Sequence, residues 1–241
     1  MPFPALVCLN PAAVSTLHGT CLRGRCSFEG NMHAIKKVAA AAALMMMAGV
    51  TSAEACARVT VAGGDERINP AKISQVKIDR AINMELNYQR CKLGLSALAV
   101  EPRLSAVAYD HANWMAGSKT LSHKSSKRGR KSLRARISKA RLNVRRGAEN
   151  ILSTALYQTE GPNGYRVVNR AQCQFATPAG APIQRHSYTS LAQYAVQLWM
   201  NSPSHRVNLF DRRVRMMGSA AGFDPSTPNC GTIYLTQNFA G

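Results

Sequence analysis

The sequence predicts an α+β fold in which three or four helices pack with a few strands. Apolar residues recur at helical spacing over residues 73–90, 102–118 and 191–201, a pattern typical of amphipathic helices. Residues 214–223 and 232–239 are β-like and are separated by the turn-rich spacer DPSTPNCG, so we expect the chain to end in a hairpin. With no visible internal repeat, this mixture favours an α+β sandwich.

The composition is that of a globular chain with a strong positive charge. Of the 241 residues, 46% are hydrophobic, which is enough for an ordinary core and excludes disorder throughout. Lys and Arg number 31 against 12 Asp and Glu, so the net charge is +19. Such a balance indicates anionic partners or surfaces without naming them.

Residues 32–55 have the composition of a secretory signal peptide. Lys36 and Lys37 give a positive start, and residues 38–50 form an apolar run. Both 51–53 and 53–55 offer small residues at the −3 and −1 positions of a cleavage site. The run of 13 residues is well short of the roughly 20 that a membrane-spanning helix needs. No stable membrane anchor is therefore expected.

Residues 1–31 precede this signal, although a signal peptide begins at or near the N-terminus of its chain. We therefore expect translation to start at Met32, and residues 1–31 to be an extension from a start site assigned too early. The mature chain would begin near Cys56 with 27 basic (31 − 4) and 10 acidic (12 − 2) residues, a charge of +17. Such a chain would be periplasmic or secreted.

Four cysteines remain in the predicted mature chain, and in an exported protein four cysteines indicate two disulfides. Three pairings are possible. We favour the one in which each bond joins a flexible segment to a regular one. The favoured pairs are Cys56–Cys91 and Cys173–Cys230. A zinc site built from cysteines is the alternative, although the sequence has no CxxC spacing.

The segments around the predicted helices differ in character. Residues 56–72 contain Gly63-Gly64 and are interpreted as an irregular N-terminal arm. Trp114 lies on the apolar face of the helix over 102–118 and is expected in the core. Residues 158–187 are rich in Gly and Pro, which predicts a long loop held by Cys173.

Residues 119–146 form a basic loop, with 12 Lys or Arg and no acid. We expect this loop to be solvated and mobile over residues 124–131. In its later part Leu133, Ile137 and Leu142 indicate a short helix laid against the body of the protein.

The helix that ends near Ser202-Pro203 leads directly to His205. Proline disfavours the α region for the residue before it, so we expect the helix to stop at Ser202. His205 would then lie on a loop, where proteins often place functional groups. Glu149 is the only acid for many residues on either side of it, and one interpretation is a salt bridge with Arg145 or Arg146.

The order of four motifs resembles the bacterial branch of the CAP superfamily, the cysteine-rich secretory, antigen 5 and pathogenesis-related-1 proteins. The motifs are LSH (121–123), GAENI (147–151), WMNSPSHRVNL (199–209) and YLTQNF (234–239). The resemblance implies an α-β-α sandwich with a small antiparallel sheet between helices, formed by one CAP (SCP-like) domain over residues 73–241.

The resemblance also implies an open cleft in which two histidines and acids hold a divalent cation. The matching residues are His123, Glu149 and His205, with Arg206, Asn208 and Gln237 as supporting residues. Family members often carry a further acid on the helix before the second His, where this chain offers Gln193 and Gln197. Two imidazoles and one carboxylate suit Zn²⁺ and leave a position open for water.

Three functions remain open from the sequence. The first is a binding module, monomeric, whose cleft and basic loop take anionic envelope components such as lipid, glycan or phosphate. The second is a metal-dependent hydrolase acting on peptides or esters, and the third is a scaffold in which the cleft residues only brace the fold. Nucleic acid is not the expected partner, because the basic loop lacks interleaved aromatic residues.

Overall fold

The computed structural model describes residues 56–241, and the predicted extension 1–31 and signal peptide 32–55 lie outside the described residues. The α+β prediction is confirmed. The helices are α1 (Gln75–Lys92), α2 (Pro102–Ser118), α3 (Leu133–Lys139), α4 (Tyr188–Asn201) and α5 (Pro203–Leu209). The strands are β1 (Ala99–Val100), β2 (Gly147–Ala155), β3 (Arg166–Asn169), β4 (Gln174–Ala176), β5 (Met216–Asp224) and β6 (Thr232–Ala240).

The main sheet has the strand order β1-β5-β6-β2. The C-terminal strand β6 lies between β5 and β2 and is antiparallel to both, so the predicted terminal hairpin is confirmed. The short strand β1 pairs with β5 in parallel. Strands β3 and β4 form a separate two-stranded sheet within residues 158–187, which were predicted to be loop.

Helices cover both faces of the main sheet, as the predicted sandwich requires. Helices α1 and α4 bury one core against it, including Leu86, Trp199 and Phe239. On the other face, Met115 of α2 packs with Ile151 and Tyr234. Sheets and helices are each apolar on one side, so two helix layers around one sheet bury all of these apolar surfaces.

Two glycines of β5 allow α2 to lie unusually close to the sheet. A Cβ atom at Gly218 would lie 2.1 Å from the backbone nitrogen of Ser105, and one at Gly222 would lie 2.3 Å from the carbonyl oxygen of Ala112. Glycine inside a strand often marks such a close backbone approach. The position of α2, and of the side chains it carries, is fixed accordingly.

The helix before His205 ends as predicted, but His205 does not lie on a loop. Ser202 has an extended backbone and ends α4, while Pro203 begins the short helix α5, which contains His205. Proline suits the first position of a helix because that position needs no amide donor. The same proline that ends one helix therefore starts the next.

Both predicted disulfides are confirmed. Cys56–Cys91 ties the irregular arm 56–72 to α1, and Cys173–Cys230 ties the β3–β4 region to the turn between β5 and β6. Trp114 is only half-buried, in contrast to the prediction, and stacks on His111 with ring centroids 5.5 Å apart. Over residues 56–241, none of the helices combines the length and the apolar character that a membrane span requires.

Candidate functional site

Strand β2 places Glu149 on the face of the sheet that α2 covers. Side chains alternate along a strand, so Ala148 joins the core on the α1 and α4 side while Glu149 points the other way. Its carboxylate lies 3.8 Å from Nε2 of His111 on α2. Only 2% of the Glu149 side chain is exposed.

The basic loop, called the basic segment below (residues 119–146), supplies an arginine and a histidine as partners of this carboxylate. Nη2 of Arg136 donates to Oε1 at 2.8 Å and to Oε2 at 2.6 Å, and 2% of the Arg136 side chain is exposed. Nδ1 of His123 lies 3.0 Å from Oε1. The prediction of a salt bridge to Arg145 or Arg146 is therefore wrong, because the partner is the buried Arg136 of α3.

The same guanidinium also holds the backbone around His123. Both Nη atoms of Arg136 donate to the carbonyl oxygen of His123, at 3.2 and 3.3 Å. The carbonyl of Arg130 accepts from Nη1 at 3.4 Å. One buried side chain thus joins α3, the LSH motif and β2.

His111 lies beneath this cluster as a neutral imidazole. Its Nε2 lies 2.9 Å from the carbonyl oxygen of Ser122, and because a carbonyl only accepts, Nε2 carries the proton. Burial lowers the pKa of His111 below its ordinary value, and the nearby Glu149 carboxylate opposes this effect. Nδ1 of His111 is buried without a hydrogen-bond partner.

An amide on β6 completes the surroundings of Glu149. In the side-chain orientation that satisfies both neighbours, Asn238 donates to Oε2 of Glu149 at 3.0 Å and accepts from the backbone nitrogen of Ala108 at 3.2 Å. Glu149 and Asn238 are paired residues across the two strands. The carboxylate therefore has an imidazole, a guanidinium and an amide as donors.

His205 lies close enough to His123 for the two imidazoles to interact electrostatically. Burial lowers the pKa of His205 below its ordinary value, and the proximity of His123 lowers it further. The carbonyl oxygen of His205 accepts from the side chain of Asn150 at 3.3 Å. Asn208 donates to Oδ1 of Asn150 at 2.9 Å and to the carbonyl oxygen of Glu149 at 3.4 Å, so α5 is fixed against β2.

The other two predicted supporting residues lie apart from these hydrogen bonds. Arg206 is exposed, with its guanidinium carbon 6.0 Å from the ring centre of Phe210. Gln237 is fully buried and donates to Sδ of Met217 at 3.9 Å. Because side chains alternate along β6, it is Asn238 rather than Gln237 that reaches Glu149.

The donor set does not fit a bound divalent cation in this arrangement. Both oxygens of Glu149 already accept from Arg136, whose positive charge would repel a metal ion at the same place. Among residues 56–241, no three or more His, Cys, Asp or Glu residues form a group that could hold a metal ion. Zn²⁺ at His123, Glu149 and His205 stays a prediction, and we derive no chemistry from it.

The basic segment is more ordered than the sequence suggested. Ser125 is buried and its hydroxyl donates to the carbonyl oxygen of Arg130 at 2.8 Å. Lys127 and Arg130 both pair with Asp110 of α2, at 2.9 and 2.8 Å. Lys124, Arg128 and Lys131 are exposed, as expected of a solvated stretch, but Lys127 and Arg130 anchor residues 124–131 to α2. The predicted short helix in the later part is confirmed as α3.

Most cations of the basic segment are nevertheless exposed. Apart from Lys119, whose charge interacts with Asp224, seven of the 12 basic side chains are exposed and make no ion pair or hydrogen bond to another group within residues 56–241. These are Lys124, Arg128, Lys131, Arg134, Lys139, Arg141 and Arg145. The segment thus combines one buried cation with a dense exposed set.

Sequence reasoning missed three members of the cluster around Glu149. His111 is buried on the same helix as Met115, and its role could have been suspected because a histidine on an apolar helix face must find a polar partner. Arg136 was one of 12 similar cations, although its position next to Ile137 on the helix gave a weak signal of burial. Asn238 lies in the YLTQNF motif, one residue beyond Gln237.

Three solved structures are among those to which this chain is similar. An extracellular SCP-domain protein from Bacillus anthracis is 20% identical, with a TM-score of 0.46 over 69% of this chain and 41% of that chain. An outer surface protein from Borrelia burgdorferi is 19% identical, with a TM-score of 0.46 over 70% and 96%. A cysteine-rich secretory protein from Staphylococcus aureus is 17% identical, with a TM-score of 0.40 over 69% and 39%.

The chain spans less than half the length of the Bacillus and Staphylococcus proteins. A search of curated proteins found no match. The model of the CAP family, described as the cysteine-rich secretory protein family, matches residues 85–239, which is more than half of the chain and includes the Glu149 cluster and α5. The chain belongs to the CAP family.

Proposed function

We propose that this CAP domain is an exported binding protein that takes anionic polymers of the cell envelope on its basic segment. The observation that carries the proposal is the set of seven exposed cations without acceptors in residues 119–146. Envelope polymers carry phosphates and carboxylates. At physiological salt the Debye length is about 8 Å, so closely spaced cations act on such a polymer together.

The way in which the segment is anchored supports the proposal. Arg136 and Glu149 form a buried ion pair with 2.6 Å between Nη2 and Oε2, and Lys127 and Arg130 share Asp110. These contacts fix the backbone of the segment against α2 and β2. The backbone positions that carry the exposed cations are therefore set before a ligand arrives, which lowers the entropy cost of binding.

Export is supported by the two disulfides, which form and persist in oxidising compartments. The signal-like composition of residues 32–55 supports the same location. In this proposal Glu149 and His123 act as structural anchors of the segment. The cleft itself needs no metal ion for the function.

Binding to immobilised lipoteichoic acid, a polymer of glycerol phosphate, tests the proposal. We expect the affinity to fall at least tenfold between 50 mM and 500 mM salt, because salt screens exposed charges. A variant with four segment cations changed to Gln should bind at least tenfold more weakly. The four are Lys124, Arg128, Lys131 and Lys139.

A charge-matched control removes four exposed cations elsewhere and should bind within threefold of wild type. These are Lys72, Arg80, Arg166 and Arg212, all exposed and outside the segment. Equal losses in the two variants would mean that only net charge matters. Binding that is unchanged in high salt would contradict an electrostatic role altogether.

A further inference from the structure

Between α3 and the chain that leads into β2 lies a cavity of about 620 Å³. We call it the α3 cavity, and it falls in the size range of small-molecule sites, roughly 300–1,000 Å³. Its lining includes Leu133, Arg134, Ile137, Leu142, Arg145 and Arg146. It is separate from the hydrogen bonds of His123 and Glu149.

The charge in the α3 cavity is largely uncompensated. Arg134 and Arg145 are exposed and have no acceptor within residues 56–241. Arg146 donates from Nε to Oδ2 of Asp211 at 2.8 Å, but the same carboxylate also pairs with Arg213. Guanidinium groups bind phosphate oxygens through two parallel hydrogen bonds, so three of them around one space favour a phosphate.

The apolar part of the lining is shallow. Ile137 is buried, whereas Leu133 and Leu142 each keep some contact with solvent. Such a wall can cover the carbon-bound hydrogens of a small ring, but it offers no deep apolar channel for an acyl chain. Ser138, also in the lining and exposed, adds a hydroxyl that can donate or accept.

The walls of the α3 cavity are fixed by backbone hydrogen bonds and by close packing. Backbone nitrogens of Arg145 and Arg146 both donate to the carbonyl oxygen of Gly241, at 2.9 and 2.8 Å. A Cβ atom at Gly147 would lie 2.9 Å from Cδ1 of Ile137, so α3 packs closely on the start of β2. The arginines are thus carried on two elements whose spacing is set.

We propose that the α3 cavity binds the phosphate ester of a sugar, with Arg134, Arg145 and Arg146 on the phosphate and Leu133 and Leu142 on the sugar ring. The inference rests on the proposed function and narrows it to one ligand class and one site. Phosphorylated glycans of the envelope carry this chemistry. The guanidinium groups of Arg134 and Arg145 have no acceptor within residues 56–241 and are available to a ligand.

Titration with N-acetylglucosamine 1-phosphate, followed by NMR shifts of backbone amides, tests this site. We expect shifts confined to residues 133–147, and at least tenfold weaker binding in the variant Arg134→Gln/Arg145→Gln. A matched variant, Arg128→Gln/Lys131→Gln, loses the same charge from the same segment outside the cavity lining and should bind within threefold of wild type. N-acetylglucosamine without phosphate should not bind measurably.

Each other outcome overturns the assignment of the cavity. Equal weakening in the two double variants would show that phosphate binding depends on the total charge of the basic segment and not on the α3 cavity. The proposed function would then stand without the α3 cavity. No binding of the sugar phosphate, together with intact binding to phosphatidylglycerol vesicles, would replace the sugar by a lipid. If wild type binds neither lipoteichoic acid nor the sugar phosphate, the proposed function itself is wrong.

Discussion

Glu149 and Asp79 are both buried carboxylates, each 6% exposed, but they differ in what surrounds them. Glu149 meets the guanidinium of Arg136 and the imidazole of His123. Asp79 of α1 meets only neutral donors, the backbone nitrogen of Ser219 at 2.7 Å and the hydroxyl of Ser105. Burial raises the pKa of Asp79 to about 6, although the two hydrogen bonds oppose that shift.

The difference shows which charge the fold requires. Removing the charge of Glu149 would leave a buried guanidinium without its counter-ion, which is costly. Removing the charge of Asp79 would remove the desolvation cost of a buried charge that no cation compensates. Two residues with the same chemistry and exposure should therefore respond to neutralisation with opposite signs.

Glu149→Ala should have the largest effect on stability of the substitutions considered. A small effect would mean that Glu149 and Asp79 do not differ in the way described. We expect the free energy of unfolding to fall by about 3–5 kcal/mol, because Arg136 stays buried and unpaired. Guanidinium chloride unfolding followed by circular dichroism measures this. Glu66, whose side chain is 62% exposed in its pair with Lys77, is the control, and Glu66→Ala should cost less than about 1 kcal/mol.

Asp79→Asn should have an intermediate effect of opposite sign. The folded pKa of Asp79, about 6, exceeds its ordinary value of 3.8, so the folded wild type binds the proton more tightly and loses stability as pH rises from about 4 to 6. At pH 7.5 the variant should be more stable by about 1–2 kcal/mol. A shift of two units represents about 3 kcal/mol, and weaker hydrogen bonds of the neutral amide offset part of it.

Urea unfolding of wild type and Asp79→Asn at pH 7.5 and pH 4.5 measures this prediction. The advantage of the variant should shrink at the lower pH, where the wild-type carboxyl is already protonated in the fold. Equal destabilisation of the variant at both pH values would mean that the ionised form of Asp79 is needed for its hydrogen bonds.

Arg134→Ala should have the smallest effect on stability. It extends the comparison from buried carboxylates to an exposed and a buried arginine. Arg134 and Arg136 lie on the same short helix, but Arg134 is exposed and without a partner. Surface substitutions of this kind change the free energy of unfolding by less than about 0.5 kcal/mol. Arg136→Ala should cost several times more, and thermal unfolding of the two variants side by side distinguishes them.

Much of the fold could be read from local signals. Pro102 set the start of α2, and the turn-rich spacer separated β5 from β6. The flanking segments favoured one of three cysteine pairings, and the structure contains that one. The continuation into α5 was missed because the same proline that ends a helix also suits the first turn of the next. No local rule distinguishes the two outcomes.

The partners of Glu149 were harder to predict, because they depend on tertiary structure. Burial of Arg136 requires that α3 folds back over β2, and nothing in a run of 12 cations marks the one that will be buried. The resemblance located Glu149 and His123, whose pairing the structure contains. It did not indicate that a guanidinium would occupy both carboxylate oxygens.

The central claim is that Arg136 and Glu149 together anchor the basic segment and leave its other cations free for ligands. A double-mutant cycle with Arg136→Met and Glu149→Gln, measured by guanidinium chloride unfolding, tests it most directly. We expect each single variant to be strongly destabilised and the double variant to recover part of the loss, with a coupling energy of about 2 kcal/mol or more. Additive effects within about 0.5 kcal/mol would contradict it.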